Sequence, residues 1–180
     1  MSRQYTKTAK TLHWAIAVLI FGLLGLGFYM HSLPISPTKL KYYSWHKWAG
    51  VTVFVLAVIR LSWRAGHAAP ALPESMPTAH RMAAHAGHLV LYVLMFAIPL
   101  SGWMMSSAKG FQTVWFGVLP LPNLVARDKV LGDLLLNVHL ALNITLIVVL
   151  LGHVAAALKH HFIDRDDILI RMLPRSTTRQ

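Results

Sequence analysis

The 180-residue chain holds eleven histidines and no cysteine. Five of them, His13, His46, His88, His139 and His153, lie in or at the edges of long apolar runs, and His85 lies about one turn before His88. An ionisable side chain inside a membrane span is costly and normally has a function. His139 and His153 are 14 residues apart. At about 100° per residue they return to one helix face, about 21 Å apart along the axis. One helix would thus present two imidazoles on one side, each near a different membrane surface. Imidazole can ligate a metal, move a proton near neutral pH or bridge helices by hydrogen bonds.

Four apolar runs, at about residues 13–30, 44–63, 82–105 and 134–158, must position these rings. Each is long enough to cross a hydrocarbon layer of about 30 Å. Hydrophobic residues make up 56%, charged residues 13%, and mean hydropathy is +0.52. This excludes a water-soluble enzyme around one packed core and predicts an all-α, integral membrane four-helix bundle forming a single domain over 1–180. The first run is too long for a signal-peptide core and no small-x-small cleavage site follows it, so it reads as a retained helix. The net charge of +11 gathers at the ends of the runs, as topology requires, and does not indicate nucleic acid. Eleven Lys and Arg fall on the side of the termini and six on the other, which predicts cytoplasmic termini and a cytoplasmic tail at 159–180. The longest connection, 106–133, carries Trp115, Phe116, Leu119 and Leu121 among prolines and reads as interfacial.

A bis-histidine site needs a second ring at matching depth. On the outer side His46 is the good partner for His139, with His31 as an alternative beyond the first span. On the inner side His13, His88 and His85 all suit His153, and spacing leaves that choice open. Zinc or copper would want further carboxylate or thiolate ligands. Each depth offers only two or three imidazoles, so haem b, with its two axial nitrogens and apolar slot, fits better. With no Cys, covalent haem attachment and iron–sulfur clusters are excluded. Gly50, Gly87 and Gly152 stand near these histidines and could admit a flat ring, whereas Gly22, Gly25 and Gly27 read as helix packing. Arg60 and Arg64 read as snorkelling to headgroups, although either could meet a haem propionate.

The sequence resembles the prokaryotic cytochrome b561 family over nearly its whole length. The resemblance rests on Tyr5 followed by Leu12-His13-Trp14, on His46, on Arg60-Leu61, and on His85-Ala86-Gly87-His88-Leu89 with Tyr92. It continues through Ala97-Ile98-Pro99-Leu100-Ser101-Gly102, His153, His160-His161-Phe162 and Leu169 to Arg175. It implies a multi-pass protein of the bacterial inner membrane with two haem b groups and iron as the bound metal. By position it implies His13 and His153 on the inner haem iron and His46 and His139 on the outer. It further implies His88 and His160 as candidates to touch a quinone or supply its protons. In the superoxide oxidases of this family an electron passes from periplasmic superoxide to ubiquinone. Members often carry a carboxylate after the outer histidine of the fourth helix, where this chain has Leu140.

The expected function is therefore transmembrane electron transfer, oxidising superoxide to dioxygen and reducing ubiquinone. The outer loops carry a net charge of +4, suited to drawing an anion inward. Two alternatives are an electron-transfer subunit serving another dehydrogenase or acceptor partner, including flow from quinol outward, and a haem-free scaffold whose histidines only bridge helices.

Overall fold

The computed structural model describes residues 4–73 and 76–174. Arg3, Arg175 and Arg179, which enter the charge count, and the tail at 175–180 lie outside the described residues. Four long helices, α1 (Lys7–Ser32), α2 (Pro37–Gly66), α3 (Thr78–Ala108) and α4 (Lys129–Phe162), form an all-α membrane bundle, each apolar and long enough to span. All four run beyond the apolar stretches, and α1, α2 and α4 start at polar caps that stand outside the hydrocarbon-length segments. Thr6, Ser36 and Asp128 accept the amides of Ala9, Lys39 and Leu131 at 3.2, 3.2 and 3.0 Å, each satisfying a donor that the first turn leaves unpaired. α3 continues through Pro99, which removes one rung of its ladder.

The helices pack as two hairpins. α1 lies along α2, α3 lies most extensively along α4, and α2 joins the halves through α3. Among the described residues α4 makes no extended backbone approach to α1 or α2. The buried apolar layer is thin and includes Ile16, Val53, Ala57, Leu94 and Leu146. Leu146 stands seven residues from both His139 and His153, so this layer separates two levels of imidazole.

At the end away from the termini, here the distal end, the α3–α4 connection folds into a β-hairpin. β1 (Val114–Trp115) pairs antiparallel with β2 (Leu119–Pro120). Phe116 and Gly117 turn the corner at positive φ, 51° and 72°, within the three-residue loop (116–118) that joins Trp115 to its strand partner Leu119. One side docks on α2: Trp48 Nε1 donates to the Val114 carbonyl at 2.6 Å, and Trp115 Nε1 lies 3.3 Å from the Trp48 carbonyl. Phe116 and Val118 remain exposed, as an interfacial segment requires.

At the terminal end the expected polar tail contains a short helix, α5 (Ile168–Met172). Trp14 Nε1 donates to the Met172 carbonyl at 3.0 Å. Arg171 donates to the Ala71 carbonyl at 2.7 Å and pairs with Asp167 at 2.6 Å. The tail is thereby tied to α1 and to the α2–α3 connection.

Candidate functional site

The distal level joins α2 to α4. The rings of His46 and His139 have centroids 6.4 Å apart and planes inclined by 75°. His31, the alternative partner, is exposed at the end of α1. His139 is held from α3: its Nδ1 lies 3.1 Å from the Ile98 carbonyl and 3.0 Å from Ser101 Oγ. A carbonyl only accepts, so Nδ1 carries the proton and Nε2 keeps its lone pair. His46 differs. Its Nδ1 is buried and has no hydrogen-bond partner, a costly state for a polar atom unless a ligand answers it.

The terminal level joins α1, α3 and α4 through three rings. His13 and His153 have centroids 6.3 Å apart, and His88 and His153 5.5 Å. Arg60, whose guanidinium donates to the Ala9 carbonyl at 3.0 Å, is within electrostatic reach of all three. Its partner is thus a backbone carbonyl of α1 as well as any headgroup. Arg64 sits over the Tyr92 ring at 5.9 Å. His85 is exposed.

A metal–imidazole bond is about 2 Å long, so two rings gripping one metal from opposite sides have centroids about 6.3 Å apart. The pairs at 6.4 and 6.3 Å meet that spacing, while 5.5 Å is too short without movement. The donor sets therefore fit a bis-imidazole metal at each level, with neutral nitrogens and an unanswered polar atom on His46.

Sequence reasoning missed how the rings are seated. A Cβ at Gly102 would lie 3.1 Å from Cε1 of His139, and one at Gly27 would lie 3.4 Å from Cε1 of His46. Gly27, read as packing, and Gly102, within the Pro-Leu-Ser-Gly run, are the glycines that imidazoles approach. At Gly50, Gly87 and Gly152 a Cβ would meet nothing within 4 Å. The one available signal was Gly102 following Pro99 and Ser101.

His160 lies two turns beyond His153 in a different setting. Its Nδ1 is 2.6 Å from Asp166 Oδ2 and 3.3 Å from Asp164 Oδ2. His160, Asp164 and Asp166 bring three ligand atoms within 4.8 Å of one another, but Lys159 already neutralises Asp164 through contacts of 2.6 and 2.8 Å. Those contacts hold the Asp164 carboxyl below the usual carboxylate range. The structure places His160 with the tail carboxylates and His88 with the terminal rings.

A family model for prokaryotic cytochrome b561 matches residues 4–175. The chain is similar to cytochrome b561 homolog 2 of Escherichia coli strain K12, at 35% identity over 97% of this chain and 94% of the relative. It is also similar to cytochrome b561 homolog 1 of the same organism, at 29% over 96% and 98%. A third relative, a probable superoxide oxidase of Yersinia pestis, is 28% identical over 97% and 98%. Four membrane-length helices, two levels of paired imidazole and a family match over almost the whole sequence agree: the chain belongs to the prokaryotic cytochrome b561 family of b-type electron-transfer cytochromes and is a multi-pass protein of the bacterial inner membrane.

Proposed function

We propose that the protein carries electrons from periplasmic superoxide to ubiquinone, with the distal end facing the periplasm and both termini in the cytoplasm. His46 and His139 would hold the iron of one haem b, and His13 and His153 that of a second. When bound, the haems supply one-electron chemistry at two depths of the membrane. Two superoxide anions each lose an electron to become dioxygen, and one ubiquinone gains two electrons and two protons. The carrying observation is the pair of imidazole separations, 6.4 and 6.3 Å, at two levels of one face of α4.

The distal lysines suit an anionic donor. Lys39 Nζ donates to the Leu33 carbonyl at 2.5 Å, Lys47 Nζ to the Gln112 carbonyl at 3.3 Å, and Lys41 lies over the Trp45 ring at 5.0 Å. All these partners are neutral, so among the described residues no acidic side chain offsets these three lysines in the distal part of α2. Lys109, by contrast, is paired with Asp133 at 3.2 Å. A field of this sign speeds anion encounter and is screened by salt. At the other end His160 is suited to passing protons. Asp166 accepts its Nδ1–H, which leaves Nε2 as the atom that takes up or releases one. His88, beside His153, is the second candidate to meet the quinone.

The test is haem stoichiometry, then pulsed superoxide with ubiquinone present. Two haems per chain and fast reduction that slows as salt rises are expected. Two haems without reduction by superoxide would point instead to a partner dehydrogenase or another donor. A colourless protein would leave only the helix-bridging role.

A further inference from the structure

We infer that the Pro99-containing segment of α3, from Ile98 to Gly102, is a positioning device for His139 that sets the strength and orientation of its donation to the distal metal. The inference rests on the reading of His139 as an axial ligand. Ser101 is buried, and its hydroxyl donates to the Ile98 carbonyl at 2.8 Å. The same carbonyl lies 3.1 Å from His139 Nδ1, and Ser101 Oγ lies 3.0 Å from it. The Nδ1–H is thus shared between two oxygens, and the serine is itself anchored to the carbonyl that takes part. Acceptors on the far nitrogen raise the basicity of a metal-ligating imidazole and fix its ring plane.

Gly102 supplies the other half of the device. With a Cβ there, the ring would meet it at 3.1 Å from Cε1 and 3.3 Å from Nδ1, so the imidazole would have to shift. His46 also stands against a glycine, Gly27, but lacks the hydrogen-bonded half of the device, since its Nδ1 has no partner among the described residues. The distal site is therefore asymmetric: α3 imposes one ring and leaves the other to the metal.

The test uses Ser101→Ala, Ser101→Thr and Gly102→Ala in the haem-loaded protein, read by optical redox titration, haem transfer to an apo-globin trap and electron paramagnetic resonance. In Ser101→Ala, the distal haem should show a higher midpoint potential, because a less basic imidazole favours the ferric state less. It should also leave about tenfold faster, at the low end of what such partners contribute. The second haem should be unchanged, and Ser101→Thr, which keeps the hydroxyl, should restore both values. Gly102→Ala should move the distal low-spin g-values alone. An unaltered distal haem in Ser101→Ala, or equal shifts at both haems, overturns the inference. If Gly102→Ala fails to assemble, the serine pair still decides it. His139→Ala separates the underlying reading: retention of two haems overturns the ligand assignment, whereas loss of one, with Ser101→Ala silent, overturns only the positioning role.

Discussion

The two ends of the bundle solve the same problem differently. At the distal end two rings meet, each against a glycine, and His139 is fixed by a carbonyl and a hydroxyl of α3. At the terminal end three rings crowd together, and neither His13 nor His153 has a hydrogen-bond partner among the described residues. There only His88 is bonded locally, to the backbone of Ala84, and charge and tethering act around the other two. Arg60 ties α2 to the Ala9 carbonyl beside the rings, and the tail is pinned through Trp14 and Arg171. The distal level is built to keep one geometry. The terminal level has a spare imidazole, His88, and a tail tethered beside α1.

The strongest way to break this contrast is to remove ligands one at a time. His46→Ala and His139→Ala should each eliminate one haem completely, since among the described residues no third imidazole is in ring contact with that pair. His13→Ala should instead retain an altered haem, because the His88 ring is already 5.5 Å from that of His153 and needs less than 1 Å of adjustment to reach the required spacing. The double change His13→Ala with His88→Ala should then lose it. Haem content and low-spin resonance signals read the outcome. Equal, complete losses from His13→Ala and His46→Ala would show that the spare ring has no such capacity.

Much of this arrangement is legible in the letters. The four spans follow from run length, and the shared face of His139 and His153 follows from helical periodicity. The depth partners follow from where His13, His46 and His88 stand in their runs. The choice between His13 and His88 was not legible from spacing, because it turns on less than 1 Å between ring centroids. The seating of His139 was illegible for a different reason. Ser101 and Ile98 are neighbours of His139 only after α3 and α4 pack, and a buried serine in an apolar run resembles any small packing residue. Gly27 and Gly50 look alike in sequence, yet only Gly27 faces an imidazole. α5 was missed because five residues among charges carry no periodicity, and Trp14 and Arg171 supply its anchoring.

A smaller perturbation sharpens the contrast at the terminal end alone. Trp14→Phe keeps the ring but deletes the N–H that reaches the Met172 carbonyl at 3.0 Å. An exposed neutral hydrogen bond contributes about 1 kcal/mol or less, so amide exchange across Ile168–Met172 should accelerate by at most about fivefold. Haem content and the distal signals should not change. A change in the distal haem would mean that the two ends are mechanically coupled and that the division drawn here is too sharp.

The smallest expected effect is a pH response of the same tail. Lys159 holds Asp164 below the usual carboxylate range, so the carboxylate favours the docked turn wherever it is ionised. For a folded value lower than the unfolded one, that contribution is complete above the unfolded value of about 3.9 and fades as pH falls through the folded value. Exchange at α5, corrected for its intrinsic rate, should therefore stay flat from neutral pH down to about pH 5 and rise only in stronger acid. Asp164→Asn should remove the Asp164 part of the acid rise, leaving a slight deficit at neutral pH. The pair is exposed, so added salt should reproduce that deficit in the unaltered protein. An acid rise of undiminished size in Asp164→Asn would show that the surface Lys159–Asp164 pair is not the pH-sensitive contact of the tail.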